Sequence, residues 1–137
     1  MTQSLPQRVA VVDGVPGHLR SLLLLLGLAP GIDVVGHGTD GYDMVWLALN
    51  EKPDVIVCDL DLPGMTALEA RPLLRAISPD TRVLVFTDRP HDSKEVVAAG
   101  IDLCVRKKAP GRALLAALES LRAPREIDLR SRLRAFG

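Results

Sequence analysis

Five short apolar runs, rich in β-branched residues and bounded by Gly, Pro or Asp, recur along the chain: Val9 to Val12, Ile32 to Val35, Val55 to Cys58, Val83 to Phe86 and Leu103 to Val105. Runs of this length and composition read as strands. Between them and after the last lie segments of helical length, roughly His18 to Leu28, Tyr42 to Asn50, Ala67 to Ile77, Ser93 to Ala99 and Gly111 to Leu121. Asp40-Gly41 precedes the second of these, and Pro63-Gly64 with Thr66 precedes the third. Gly100 closes the fourth, and Pro110 stands where a first-turn proline belongs. Five βα units result. Strands that are apolar throughout, rather than alternating, are buried on both faces, so helices must cover a parallel sheet from both sides.

The expected fold is therefore α/β, a doubly wound five-stranded parallel sheet of the flavodoxin-like kind, order 2-1-3-4-5, with helices on both faces. That order reverses between the first and third strands and opens a crevice at their carboxyl ends. Functional groups are expected there.

The 137-residue length suits one domain with a full core. Residues 7–121 are expected to form it, with 122–137 as a tail. The 17 basic and 17 acidic residues balance, so net charge gives no pull toward nucleic acid or membrane. Cys58 and Cys104 both sit in apolar runs, which suits reduced core thiols and a cytoplasmic setting. The Leu22 to Leu26 run ends its apolar stretch at Pro30, short of the ~20 residues of a membrane span, and is expected to be a buried helix.

At the carboxyl ends of the strands stand Asp13, Asp59, Thr87 and, after Arg106, Lys107. Each alone has an ordinary reading: Asp13-Gly14 as a tight turn, Thr87 as a loop hydroxyl, Lys107 as one cation of the solvated Arg106-Lys107-Lys108 run. Two carboxylates, a hydroxyl and an ammonium converging on one crevice are a stronger signal than any one of them.

The segment Pro53 to Glu69, PDVIVCDLDLPGMTALE, resembles the stretch around the phosphorylated aspartate in receiver domains of two-component response regulators. VVDGVP at Val11 to Pro16 resembles their first-strand acid motif, VLVFTD at Val83 to Asp88 the strand ending in Thr or Ser, and AAGIDLCVRKK at Ala98 to Lys108 the segment that carries their lysine. With DVVGHGTDGYDMVWLAL over the second unit, the match spans about Arg8 to Leu121 and is most similar to the subfamily with C-terminal helix-turn-helix output domains. The resemblance implies Asp59 as phosphoacceptor, Thr87 and Lys107 as phosphoryl-binding groups, and Mg²⁺ held by Asp13 and Asp59. It implies a histidine kinase as partner, and protein partners or a homodimer through the face from the fourth to the fifth helix. No enzymatic activity of its own is expected.

The chemistry fits these residue types, because a phosphoryl group in transfer spreads negative charge that positioning and cations stabilise. The sequence departs from the family pattern in four places. Gly14 stands where the family has a second acid, and two unit charges at 4 Å attract by about 4 kcal/mol at an effective dielectric of 20. Weak Mg²⁺ binding and weakened or absent phosphorylation are expected, with Asp61 as a candidate substitute ligand. Asp88 follows Thr87, where an acid repels an incoming phosphoryl group. Cys104 occupies the switch position that is usually aromatic. Finally, Thr87 to Gly100 is about two residues shorter than the family norm.

The tail Arg122 to Gly137 has five arginines and two acids, and sixteen residues cannot hold a helix-turn-helix domain, so direct DNA binding by this chain alone is not expected. His18, His37 and His91 fall in separate units and are not expected to form a metal cluster. The favoured reading is an atypical receiver acting in signal transduction or transcriptional regulation through protein contacts. A conventional receiver phosphorylated at Asp59 is the alternative. A small-ligand-binding flavodoxin-like domain is the third, weakened by the lack of a glycine-rich phosphate loop.

Overall fold

The computed structural model of the protein describes residues 5–89, 91 and 93–122. The elements run β1 (Gln7–Val12), α1 (Pro16–Gly27), β2 (Ile32–Gly38), α2 (Gly41–Glu51), β3 (Val55–Cys58), α3 (Ala67–Ile77), β4 (Arg82–Phe86), α4 (Ser93–Ala99), β5 (Leu103–Val105) and α5 (Gly111–Ser120). The five strands form one parallel sheet in the order β2-β1-β3-β4-β5. The expected architecture and strand order are those observed. The basic tail beyond Arg122 lies outside the described residues.

Local signals set most of the boundaries. Pro16 opens α1, where its missing N–H costs no intrahelical bond. Asp40 caps α2 by accepting from Asp43 N at 2.7 Å. Thr66 and Glu69 form a reciprocal capping box at α3, worth about 1 kcal/mol. β2 extends past Val35 because Gly36, His37 and Gly38 pair with Ala10, Val11 and Val12. Ladder pairing there overrides the low strand propensity of glycine.

Each face of the sheet has its own core. Val12, Ile56, Cys58 and Val85 pack under Met44, Leu47, Leu74 and Val96 of α2, α3 and α4. Val9, Val11, Val57 and Leu84 pack under Leu22, Leu26, Leu114 and Leu118 of α1 and α5. Truncating one such fully buried leucine, Leu74 for example, costs about 2–5 kcal/mol.

Two burial expectations are corrected. Cys58 is buried but Cys104 is exposed, because β5 stands at the end of the five-stranded sheet and pairs with β4 on one side. In the Leu22 to Leu26 run only Leu22 and Leu26 are buried, and Leu24 is 62% exposed. One helix face meets the sheet, so the run is half-buried rather than enclosed.

Candidate functional site

Asp13 follows β1 and Asp59 follows β3, adjacent strands that deliver both carboxyl groups to the same end of the sheet. Asp13 is fully buried. Its Oδ1 accepts from Val15 N at 2.9 Å, closing the turn into α1. Lys107, in the loop after β5, reaches across the crevice. Its Nζ donates to Asp13 Oδ2 at 2.9 Å and to Asp59 Oδ2 at 2.8 Å, and lies 2.9 Å from Nδ1 of His18. An ammonium has three donors, and three partners surround this one. Asp59 Oδ1 accepts from Asp61 N at 3.2 Å, so every carboxylate oxygen of the pair has a donor.

These contacts set the ionisation states. Burial opposes charge on Asp59, but the hydrogen bonds from Lys107 and Asp61 N, the Lys107 charge and the Thr87 hydroxyl hold its carboxyl below the usual range. Burial likewise opposes charge on Lys107, and its bonds to Asp59 and Asp13 outweigh that and hold the ammonium above its ordinary value. Thr87 is buried at the end of β4, with its N–H on Val105 O at 3.0 Å. Its Oγ1 accepts from Arg89 N at 3.2 Å.

Asp13, Asp59, Thr87 and Lys107 thus meet as a group. The side chains of Asp61 and Asp88 bond elsewhere. Asp61 is engaged by the Arg89 guanidinium rather than by Lys107. Asp88 accepts from Lys108 N at 3.0 Å, tying the loops after β4 and β5 together. Cys104 lies on β5 in register with Val85, at the exposed edge. At Gly14 an added Cβ would sit 2.8 Å from Pro63 Cδ and 3.2 Å from Thr39 O, so the loop after β3 is seated against the missing side chain.

Sequence reasoning missed three participants. His18 reaches Lys107 from the first turn of α1, which the fold aims at the crevice; its place two residues after the Pro16 helix start was the available signal. Arg89 and Pro63 act through contacts that no local pattern encodes.

Residues 9–119 match the response regulator receiver domain family. The chain belongs to that family. This receiver is 33% identical over 125 residues to the nitrate/nitrite response regulator protein NarL of Escherichia coli K12, covering 90% of this chain and 58% of that one. It is 33% identical over 103 residues to the transcriptional regulatory protein DesR of Bacillus subtilis, covering 75% of this chain and 52% of that one. The receiver therefore spans little more than half the length of these curated relatives. Among solved structures it resembles a LuxR-family two-component response regulator from Aurantimonas, with a TM-score of 0.79 and 28% identity over 85% of this chain and 84% of that one. The signal receiver domain of a putative NarL from Mycobacterium tuberculosis superposes with a TM-score of 0.77 at 24% identity, over 85% of this chain and 98% of that one, a likeness of fold.

Receivers typically bind Mg²⁺ at an acidic pocket. Mg²⁺ asks for near-octahedral oxygen ligands and is usually held by one or two carboxylates. In this receiver both carboxylates share the Lys107 ammonium, and the residue after Asp13 is a glycine packed on Pro63. Among the described residues no three His, Cys, Asp or Glu are grouped to hold a metal. An ion held there would share the two carboxylates with Lys107, which already bonds Oδ2 of each.

Proposed function

We propose that this receiver relays a signal in two-component regulation through protein contacts, with phosphorylation of Asp59 weakened or absent. One observation carries the reading: Lys107 Nζ bridges Asp13 and Asp59 at 2.9 and 2.8 Å, and Gly14 supplies no further carboxylate. The lysine balances charge that a divalent ion would otherwise balance. Each carboxylate is bonded to Lys107 in that state, and an incoming phosphoryl donor meets a carboxylate whose charge is already paired. Thr87 and Lys107 are the groups that would hold phosphoryl oxygens. The partner is a histidine kinase or another protein, and the location is the cytoplasm. Output contacts use the face of α4, β5 and α5, where Val97 is 73% exposed and Cys104 replaces an aromatic switch residue.

A second reading, a conventional phosphoacceptor, is favoured by the ionised state of Asp59 beside Thr87 and Lys107. Incubation with acetyl phosphate and Mg²⁺ separates the two. An Asp59 oxygen would attack phosphorus, the bond from phosphorus to the acetyl oxygen would break, and acetate would leave. Intact-mass measurement is expected to show little or no added phosphoryl group. A rapid, full gain that Asp59→Asn abolishes would overturn the proposal in favour of the conventional reading.

A further inference from the structure

Between Asp102 and Glu119 the sequence carries four cations, Arg106, Lys107, Lys108 and Arg112, and no acid. Lys107 turns inward to the pocket carboxylates. Arg106, Lys108 and Arg112 are exposed, on a stretch that leaves β5, makes a turn closed by Ala109 N on Arg106 O at 3.0 Å, and enters α5. Among the described residues no carboxylate pairs with any of these three side chains. Asp88 bonds the backbone N–H of Lys108, at 3.0 Å, and not its ammonium.

Folding by itself does not favour this arrangement. Neighbouring like charges repel, and a helix N-terminus favours acids, yet the first turn of α5 holds Arg112 and no acid. Local rules broken in this way point to a function that the fold accommodates. An unpaired basic patch attracts an anionic partner, and two classes of partner make different demands. Duplex nucleic acid is held by arrays of phosphate contacts, on the order of 6–10, on a strongly basic chain, and single strands stack on aromatic rings. This chain balances 17 basic with 17 acidic residues, and residues 103–118 contain no Phe, Tyr or Trp. Three cations around one turn match a short run of carboxylates.

We infer that the stretch from Arg106 to Arg112 is a docking site for an acidic segment of a partner protein, whose carboxylates pair with Arg106, Lys108 and Arg112. The inference rests on the reading that this receiver acts through protein contacts, and it names the chemistry of the partner at the β5–α5 turn. The same turn carries Lys107, so a docked segment lies beside the group that bonds Asp13 and Asp59. Exposed ion pairs are individually weak, so the contact depends on several carboxylates together and on salt.

Hexaglutamate is the probe, titrated into the full chain and followed by amide NMR. It is expected to shift the amides of residues 106–112, with an affinity that falls several-fold between about 50 and about 200 mM salt. The triple variant Arg106→Ala, Lys108→Ala, Arg112→Ala loses three exposed pairs and should bind about tenfold more weakly. Arg112→Gln alone should bind about twofold more weakly and serves if the triple variant does not fold. Arg82→Ala, at the opposite end of the sheet, should bind as the parent does. Absence of shifts at residues 106–112 with about 1 mM peptide overturns the inference. So does undiminished binding by the triple variant, or a loss on Arg82→Ala as large as on the triple variant. A short DNA duplex that shifts the same amides at lower concentration than hexaglutamate overturns it in favour of nucleic acid. The acetyl phosphate experiment bears on Asp59 alone, so its outcome and this one are read separately.

Discussion

Gly14 and Pro63 meet across the rim of the pocket so closely that a Cβ on the glycine would lie 2.8 Å from Cδ of the proline. Placing an acid there by Gly14→Asp therefore requires the loop after β3 to move. The variant is expected to lose about 1–2 kcal/mol in urea denaturation, the usual scale of overpacking. Adding Pro63→Ala removes the ring and should restore most of that loss. Calorimetric titration should show the double variant binding Mg²⁺ more tightly than the parent.

Lys107 is the only cation bonded to both pocket carboxylates among the described contacts, so Lys107→Met leaves two acids facing each other. Removing one partner from a mostly buried ion pair costs about 3 kcal/mol, and that deficit is expected near pH 7. It should shrink toward about pH 4 as protonation removes the repulsion.

The parent's own pH profile follows from the two shifts. Asp59 is held below its ordinary pKa, so its contribution is present above the unfolded value and lost as pH falls through the folded one. Lys107 is held above its ordinary pKa, so its contribution is present below the unfolded value and lost as pH rises through the folded one. Urea titrations across pH should therefore show a plateau between an acid limb and an alkaline limb. Lys107→Met should flatten the acid limb and remove the alkaline contribution of Lys107.

Asp61 and Arg89 form an ion pair with both side chains largely exposed. Such pairs contribute at most about 1 kcal/mol and weaken with salt. Asp61→Asn should change stability by less than that, and should leave Mg²⁺ affinity where it was. A clear fall in Mg²⁺ affinity would show that Asp61 turns into the pocket when the ion binds.

The two thiols should react very differently with a chromogenic disulfide reagent. Burial in the core pushes the Cys58 thiol far above its ordinary pKa, while Cys104 is raised by partial burial yet exposed at the sheet edge. One thiol is expected to react in the folded protein and the second only on unfolding. The slow phase should follow the unfolding rate, which Cys58→Ser would confirm by removing that phase.

The sequence alone determined the five βα units, the parallel order and the residue types at the strand ends. Those features rest on local composition, on period and on punctuation such as Asp40-Gly41, Thr66, Gly100 and Pro110, all of which act within a turn or a strand. It also placed Asp13, Asp59, Thr87 and Lys107 on one rim, because strand order alone carries strand ends to a common edge. Tertiary structure decided the rest. Whether Leu24 and Cys104 are buried depended on which face and which edge their elements occupy. Asp13 and His18 meet Lys107 across 94 and 89 residues of chain, and Gly14 meets Pro63 from another loop. A contact of that kind is set by the packing of whole elements on the sheet, and no pattern within a single segment encodes it.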